Sequence, residues 1–127
     1  MVGIVVVSHS SELASGLAEL AAQMAGPEVK IEHAGGTCDG TLGTDESRVR
    51  DAIRRADGGD GVVVLGDLGS AILTIRHVLE SRVNNHVTLI DAPIVEGTVA
   101  AAVMASAGSS LEDVVSAAEE ARSVRKL

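Results

Sequence analysis

A histidine set among hydroxyls, Ser8-His9-Ser10-Ser11, follows directly on the apolar run of residues 2–7. A neutral imidazole nitrogen is a competent nucleophile towards phosphorus, and phosphoryl transfer chiefly requires positioning and stabilisation of the equatorial oxygens. Asp67, in Gly66-Asp67-Leu68-Gly69-Ser70, is the matching carboxylate. By accepting a hydrogen bond from one ring nitrogen it would fix the tautomer and leave the other nitrogen free. It also reads as a helix cap before Leu68, a role compatible with the first. His9 and Asp67 are the candidate catalytic pair.

The two residues are far apart in sequence, so the fold must join them. Residues 2–7 carry no polar side chain and read as a buried parallel strand. Leu13, Leu17, Leu20 and Met24 recur at helical spacing, with Ala14, Ala18 and Ala21 beside them, and Gly26-Pro27 ends that helix. A second strand is expected at residues 29–33, then a glycine-rich loop over 34–43. Thr44 reads as the cap of a helix with Asp45 and Glu46 in its first turn and Arg50, Arg54 and Arg55 later, as the helix dipole favours. Residues 61–66 form the third strand, 69–80 a helix, and 86–91 the fourth strand. An alanine-rich helix over 95–107 stops at Gly108, and a last helix is capped by Ser109 or Ser110, with Leu111, Val114, Val115 and Ala118 along one face.

This order of elements demands an α/β fold: a doubly wound, mainly parallel sheet with right-handed crossovers and helices on both faces, forming one domain over residues 1–127. His9, the 34–43 loop, Asp67 and residues 92–97 then share the carboxyl edge of the sheet, where open α/β sheets bind ligands. Helix N-termini at Ser10, Thr44, Gly69 and Val95 meet there. With Gly35, Gly36, Gly43 and Gly69 allowing close approach, they read as an anion site suited to phosphate.

Composition removes other classes. There is no Phe, Tyr or Trp, so the core must be aliphatic, and the usual platforms for stacking bases are missing. Eighteen acids against ten bases leave a net charge of −8, which repels a nucleic-acid backbone. No G-x-x-x-x-G-K-[ST] run, dinucleotide fingerprint or G-x-S-x-G elbow is present. The arginines fall on expected helices rather than around His9, against a histidine phosphatase. His33, His77 and His86 show no metal-ligand spacing. His77 reads as a helix-surface residue, His86 as a strand start, and His33 ends the second strand near the site. A lone cysteine, Cys38, makes no internal disulfide and reads as a loop filler. With no signal peptide or membrane span, a cytoplasmic protein is expected.

The segments VVVSHSSELASG, AGGTCDGTLGTD, VVVLGDLGSAIL and APIVEGTVAA together resemble the phosphotransferase subunits of bacterial phosphoenolpyruvate-dependent dihydroxyacetone kinases, which carry mannose-family enzyme IIA domains of the sugar phosphotransferase system. The resemblance implies a doubly wound sheet, usually with a fifth edge strand, and a homodimer. It also implies phosphorylation of His9 with support from Asp67. The phosphoryl group is then expected among Ser8, Ser10, Gly36, Gly43, Thr44, Gly69 and Ser70. Phosphate would come from the histidine phosphocarrier protein and pass to ADP held on the nucleotide-binding kinase subunit, with no cofactor on this chain. Some members carry the phosphocarrier and part of enzyme I fused behind the domain; here separate donors are expected. The rival in the same chemistry is a IIA domain that donates to the IIB domain of a sugar permease. The rival of another class is an anion-binding module that is never phosphorylated. The alanines and valines of the 95–107 helix suit packing between the sheet and a second subunit.

Overall fold

The computed structural model describes residues 1–37, 39–81 and 86–127; Cys38, expected to fill the loop, lies outside them. The first strand, β1 (Gly3–Ser8), is buried at every position. Its side chains alternate between two helix layers, Ile4 and Val6 on one side and Val5 and Val7 on the other. That double burial is why the run carries no polar alternation.

Helix α1 (Ser11–Ala25) starts where the Ser10 hydroxyl accepts from the Leu13 N–H at 3.2 Å, and it ends at Gly26 with φ +84°. Its inward stripe is Ala14, Leu17, Ala18 and Ala21. Leu13, Leu20 and Met24, which share the expected apolar spacing, are instead exposed. Two stripes of one period lie side by side on this helix, and the small one faces inward because the helix start sits directly on the next strand, β2 (Ile31–Gly35). At Gly35 an added Cβ would lie 2.6 Å from the Ser10 carbonyl oxygen and 2.7 Å from the Ser11 Cα. β2 runs on through Ala34 and Gly35, two residues that the sequence reading assigned to the loop.

The cap of α2 (Glu46–Ala56) is Asp45 and not Thr44. Asp45 Oδ1 accepts from the N–H groups of Ser47 (2.9 Å) and Arg48 (3.4 Å), while the Thr44 hydroxyl pairs with that of Thr74 at 2.9 Å. A carboxylate is the stronger acceptor for helix N–H groups. Then follow β3 (Val62–Gly66), α3 (Gly69–Glu80), the short β4 (Val87–Leu89), α4 (Ile94–Ser106), α5 (Leu111–Glu120) capped by Ser110, and a final 3-10 turn (Ala121–Ser123). Gly108 has φ +76° just past α4, as a helix stop requires.

The strands pair in the order β2-β1-β3-β4, all parallel. The fifth strand implied by the resemblance is not among the described residues. Helices α1, α4 and α5 cover one face, with Ala101, Ala102, Ala105, Val114 and Ala118 against Ile4, Val63 and Leu65. On the other face α2 and α3 set Val49, Ala52, Ile53, Ile75 and Val78 against Val5, Val7, Val62 and Val64. The chain moves outward from β1 to β2 over one face and returns across β1 to β3 over the other, as crossovers of a single hand require. β1 therefore hands the chain to α1 on one face, and its neighbour β3 hands it to α3 on the opposite face. The connections diverge, and a crevice opens between the two carboxyl ends.

Two alanine substitutions should separate close approach from helix propensity. Gly35→Ala forces the start of α1 off β2 and should lower unfolding stability by about 1–3 kcal/mol. Gly16→Ala lies mid-helix with nothing within 4 Å of the new Cβ, and should raise it by about 0.5–1 kcal/mol. Urea titration measures both; equal signs would contradict the packing described for α1.

Candidate functional site

At the divergence of β1 and β3 the expected pair meets. His9 Nδ1 lies 2.9 Å from Asp67 Oδ1, and the side chains are 25% and 13% exposed. Asp67 reaches this point because Val7 pairs with Gly66 across the sheet and the Asp67 N–H donates to the Val7 carbonyl at 3.2 Å. Its Oδ1 also accepts from the Leu68 N–H (2.8 Å), and its Oδ2 from the Ser8 hydroxyl (2.8 Å) and the His9 N–H (3.1 Å). Burial raises the carboxyl's pKa, but these hydrogen bonds, led by Ser8 and the His9 ring, outweigh it and hold Asp67 below the usual carboxylate range. An ionised Asp67 can only accept, so Nδ1 carries the proton and Nε2 presents its lone pair. Nε2 faces the Ser70 hydroxyl in the first turn of α3. That helix starts after Leu68 with no side-chain cap, and Gly69 and Ser70 are both exposed.

The other residues expected to hold phosphate have different tasks here. Ser8 is fully buried and uses its hydroxyl twice, donating to Asp67 and accepting from the Ser10 N–H at 3.0 Å. Ser10 caps α1. The Gly36 N–H donates to the Ser8 carbonyl at 3.3 Å and the Gly43 N–H to the His9 carbonyl at 2.9 Å, both glycines at positive φ. They hold the backbone on either side of the imidazole. The loop between them is braced by Asp39. Hydrogen bonds from the Thr37 and Thr41 hydroxyls and the Thr41 N–H bring its carboxyl down to about 2. Thr44 ties the end of this loop to α3 through Thr74. Four helix starts were expected to converge on an anion; α2 closes its own with Asp45, and α4 starts after Pro93 without a side-chain cap. Of the expected phosphate ligands, Ser70 stands beside Nε2, and Gly69 precedes it at the start of α3.

The remaining histidines lie elsewhere. His33 is exposed on β2 opposite Val6, His77 on α3 pairs with Glu46 of α2, and His86 precedes β4, its carbonyl accepting from the Val62 N–H at 2.7 Å. Among the described residues no three His, Cys, Asp or Glu side chains group as metal ligands, and no helix is long and apolar enough to cross a membrane. The inward task of Ser8 escaped the sequence reading. Its parity with Ile4 and Val6 on a strand buried on both faces was the available signal.

The chain resembles known proteins over most of its length. Residues 3–115 match the family described as the fructose IIA component of the phosphotransferase system. A Listeria innocua protein named PEP-dependent dihydroxyacetone kinase 2, phosphoryl donor subunit DhaM, is 38% identical over 91% of this chain and 94% of its own length. The Escherichia coli DhaM phosphoryl donor subunit is 41% identical over 91% of this chain, which spans only 26% of that longer relative. Among solved structures, a protein of unknown function, EF1359, superposes with a TM-score of 0.82 at 36% identity, covering 93% of this chain and 92% of its own. A Streptococcus agalactiae phosphotransferase component EIIA shares the fold, with a TM-score of 0.71 at 16% identity over 97% of this chain and 93% of that one. The chain thus belongs to the fructose IIA component family of the phosphotransferase system, where it groups with the DhaM phosphoryl donor subunits of dihydroxyacetone kinases.

Proposed function

We propose that the chain is a phosphohistidine carrier that takes a phosphoryl group on His9 Nε2 and passes it on. The observation that carries this reading is the orientation of the ring: Nδ1 is held by Asp67 and Nε2 is turned to Ser70 at the open start of α3. In loading, the Nε2 lone pair attacks phosphorus and the bond from phosphorus to the donor nitrogen breaks. The loaded ring keeps its proton on Nδ1 and so bears a positive charge, which Asp67 offsets. In unloading, the N–P bond breaks, its electrons return to Nε2, and a neutral imidazole departs. Neither step needs another proton. Gly69 and Ser70 would donate to the phosphoryl oxygens.

The donor in this reading is the histidine phosphocarrier protein of the phosphotransferase system. The acceptor is ADP on the nucleotide-binding subunit of a dihydroxyacetone kinase, so this chain holds no cofactor of its own and works in the cytoplasm. Support comes from the relatives, which are named as phosphoryl donor subunits of that kinase. The family description, a fructose IIA component, favours a second acceptor, the IIB domain of a sugar permease. Offering the loaded protein each acceptor in turn separates the two.

His9→Gln should remove labelling by phosphocarrier and phosphoenolpyruvate altogether. Label retained in that variant, or mapped to His33, His77 or His86, would overturn the assignment.

Asp67→Asn should slow loading and transfer by a factor on the order of ten to a thousand, while the protein still folds. It should also change the acid limb of stability. The folded-state pKa of Asp67 lies below its ordinary value of 3.8. Its contribution is therefore full above that value and disappears as pH falls through the lower folded value. Wild type should exceed the variant at neutral pH and converge with it in acid, as followed by unfolding at a series of pH values.

A homodimer is part of the same reading. Val95 and Val103 on α4 and Leu13, Leu20 and Met24 on α1 are exposed apolar side chains on the face of the sheet away from α2 and α3. Val103→Asp should yield a monomer by sedimentation if α4 lies in that interface; a wild-type monomer at micromolar concentration would remove the claim.

A further inference from the structure

A second recess adjoins Asp67. Between the carboxyl ends of β3 and β4 lies a cleft of about 400 Å³ whose lining includes Asp67, Leu68, Ile72, Arg76, Leu89 and Asp91. Its two carboxylates are already satisfied. Asp67 accepts four hydrogen bonds, and Asp91 is paired with Arg122 at 2.9 Å. The guanidinium of Arg76 is not. Arg50, Arg54, Arg55 and Arg122 stand in ion pairs, whereas Arg76 has no hydrogen-bond or ion-pair partner among the described residues. The cleft thus presents one guanidinium without an ion-pair partner, next to the residue that orients His9. A guanidinium can hold two phosphate oxygens at once.

Transfer to a nucleotide sets an electrostatic difficulty for this chain. Its net charge is −8, the phosphoryl group adds more, and the acceptor is itself a polyanion. A cation on this chain beside His9 would ease that approach. We propose that Arg76 and its cleft form an anion subsite for the non-reacting phosphate of the nucleoside diphosphate, so that Arg76 serves transfer to the acceptor and not loading from the donor. The inference rests on the phosphohistidine reading above. While Arg76 holds the inner phosphate, the one attached to the nucleoside, an oxygen of the terminal phosphate attacks phosphorus on Nε2, the N–P bond breaks, and a nucleoside triphosphate leaves with His9 neutral. The donor brings its phosphate on a protein nitrogen with no second phosphate attached, so loading offers the cleft nothing to hold.

Arg76→Gln and Arg76→Lys test this against wild type in two separate reactions: loading from phosphocarrier, and transfer to the nucleotide-binding subunit with ADP bound. The expected result for Arg76→Gln is normal loading and transfer slowed on the order of ten- to a hundredfold, with Arg76→Lys between. Normal loading shows that the variant is folded. Binding to the acceptor with and without ADP then locates the contact. Arg76→Gln should remove only the part of the affinity that ADP adds. Equal losses with and without ADP would place Arg76 against the acceptor protein and overturn the proposal, as would unchanged transfer or an equal fall in both reactions. If wild type itself never loads or never makes ATP, it is the carrier reading that fails.

Discussion

One carboxylate joins two strands that leave the sheet in opposite directions. Asp67 takes the Ser8 hydroxyl, the His9 N–H and the His9 ring from the end of β1, and the Leu68 N–H from its own turn. Four donors on one side chain can be satisfied only by an ionised acid, since a protonated carboxyl would have to donate. The charge therefore serves structure and chemistry together. It ties the two diverging turns across the crevice, sets the imidazole tautomer, and would offset a positive charge on the ring. Ser8, Gly36 and Gly43 hold the backbone around this node, and the braced loop behind Asp39 holds them in turn.

Much of this was legible in the chain. An unbroken apolar run with a polar end names a buried strand, and the alternation of strands with helical periods leaves a doubly wound sheet as the consistent answer. That topology brings His9 and Asp67 to one edge before any contact is known, because residues ending adjacent parallel strands must lie together. What stayed hidden depends on distances between elements. The inward stripe of α1 is alanine rather than Leu13, Leu20 and Met24 because of the separation between helix and strand at Gly35, which periodicity does not encode. The glycines near the site read equally well as phosphate cradles or as backbone braces. Only the partners of their N–H groups distinguish the two. Thr44 and Asp45 are neighbours that can each cap a helix, and the choice between them turns on Thr74, a residue thirty positions away in α3.

The acidic surface has a bearing on exchange as well as on exclusion. In the carrier reading proposed above the chain would meet donor and acceptor in turn and release each, so brief encounters would suit it better than tight ones. Long-range attraction between an acidic surface and a basic patch on a partner would accelerate encounter without lengthening residence, and salt would weaken it. Close-range contacts at the crevice are then left to tell one partner from the other. Such a division of labour fits an imidazole that is a quarter exposed on a rim and not sealed in a cavity.

The aliphatic core has an optical consequence. With no Trp, Tyr or Phe and a single cysteine, the chain has no aromatic chromophore and no internal disulfide. It is dark in the near ultraviolet and emits no intrinsic fluorescence. In a mixture with any ordinary protein, every indole or phenol signal belongs to the other molecule. A partner's own rings would thus report its arrival and departure, with no label needed on either side.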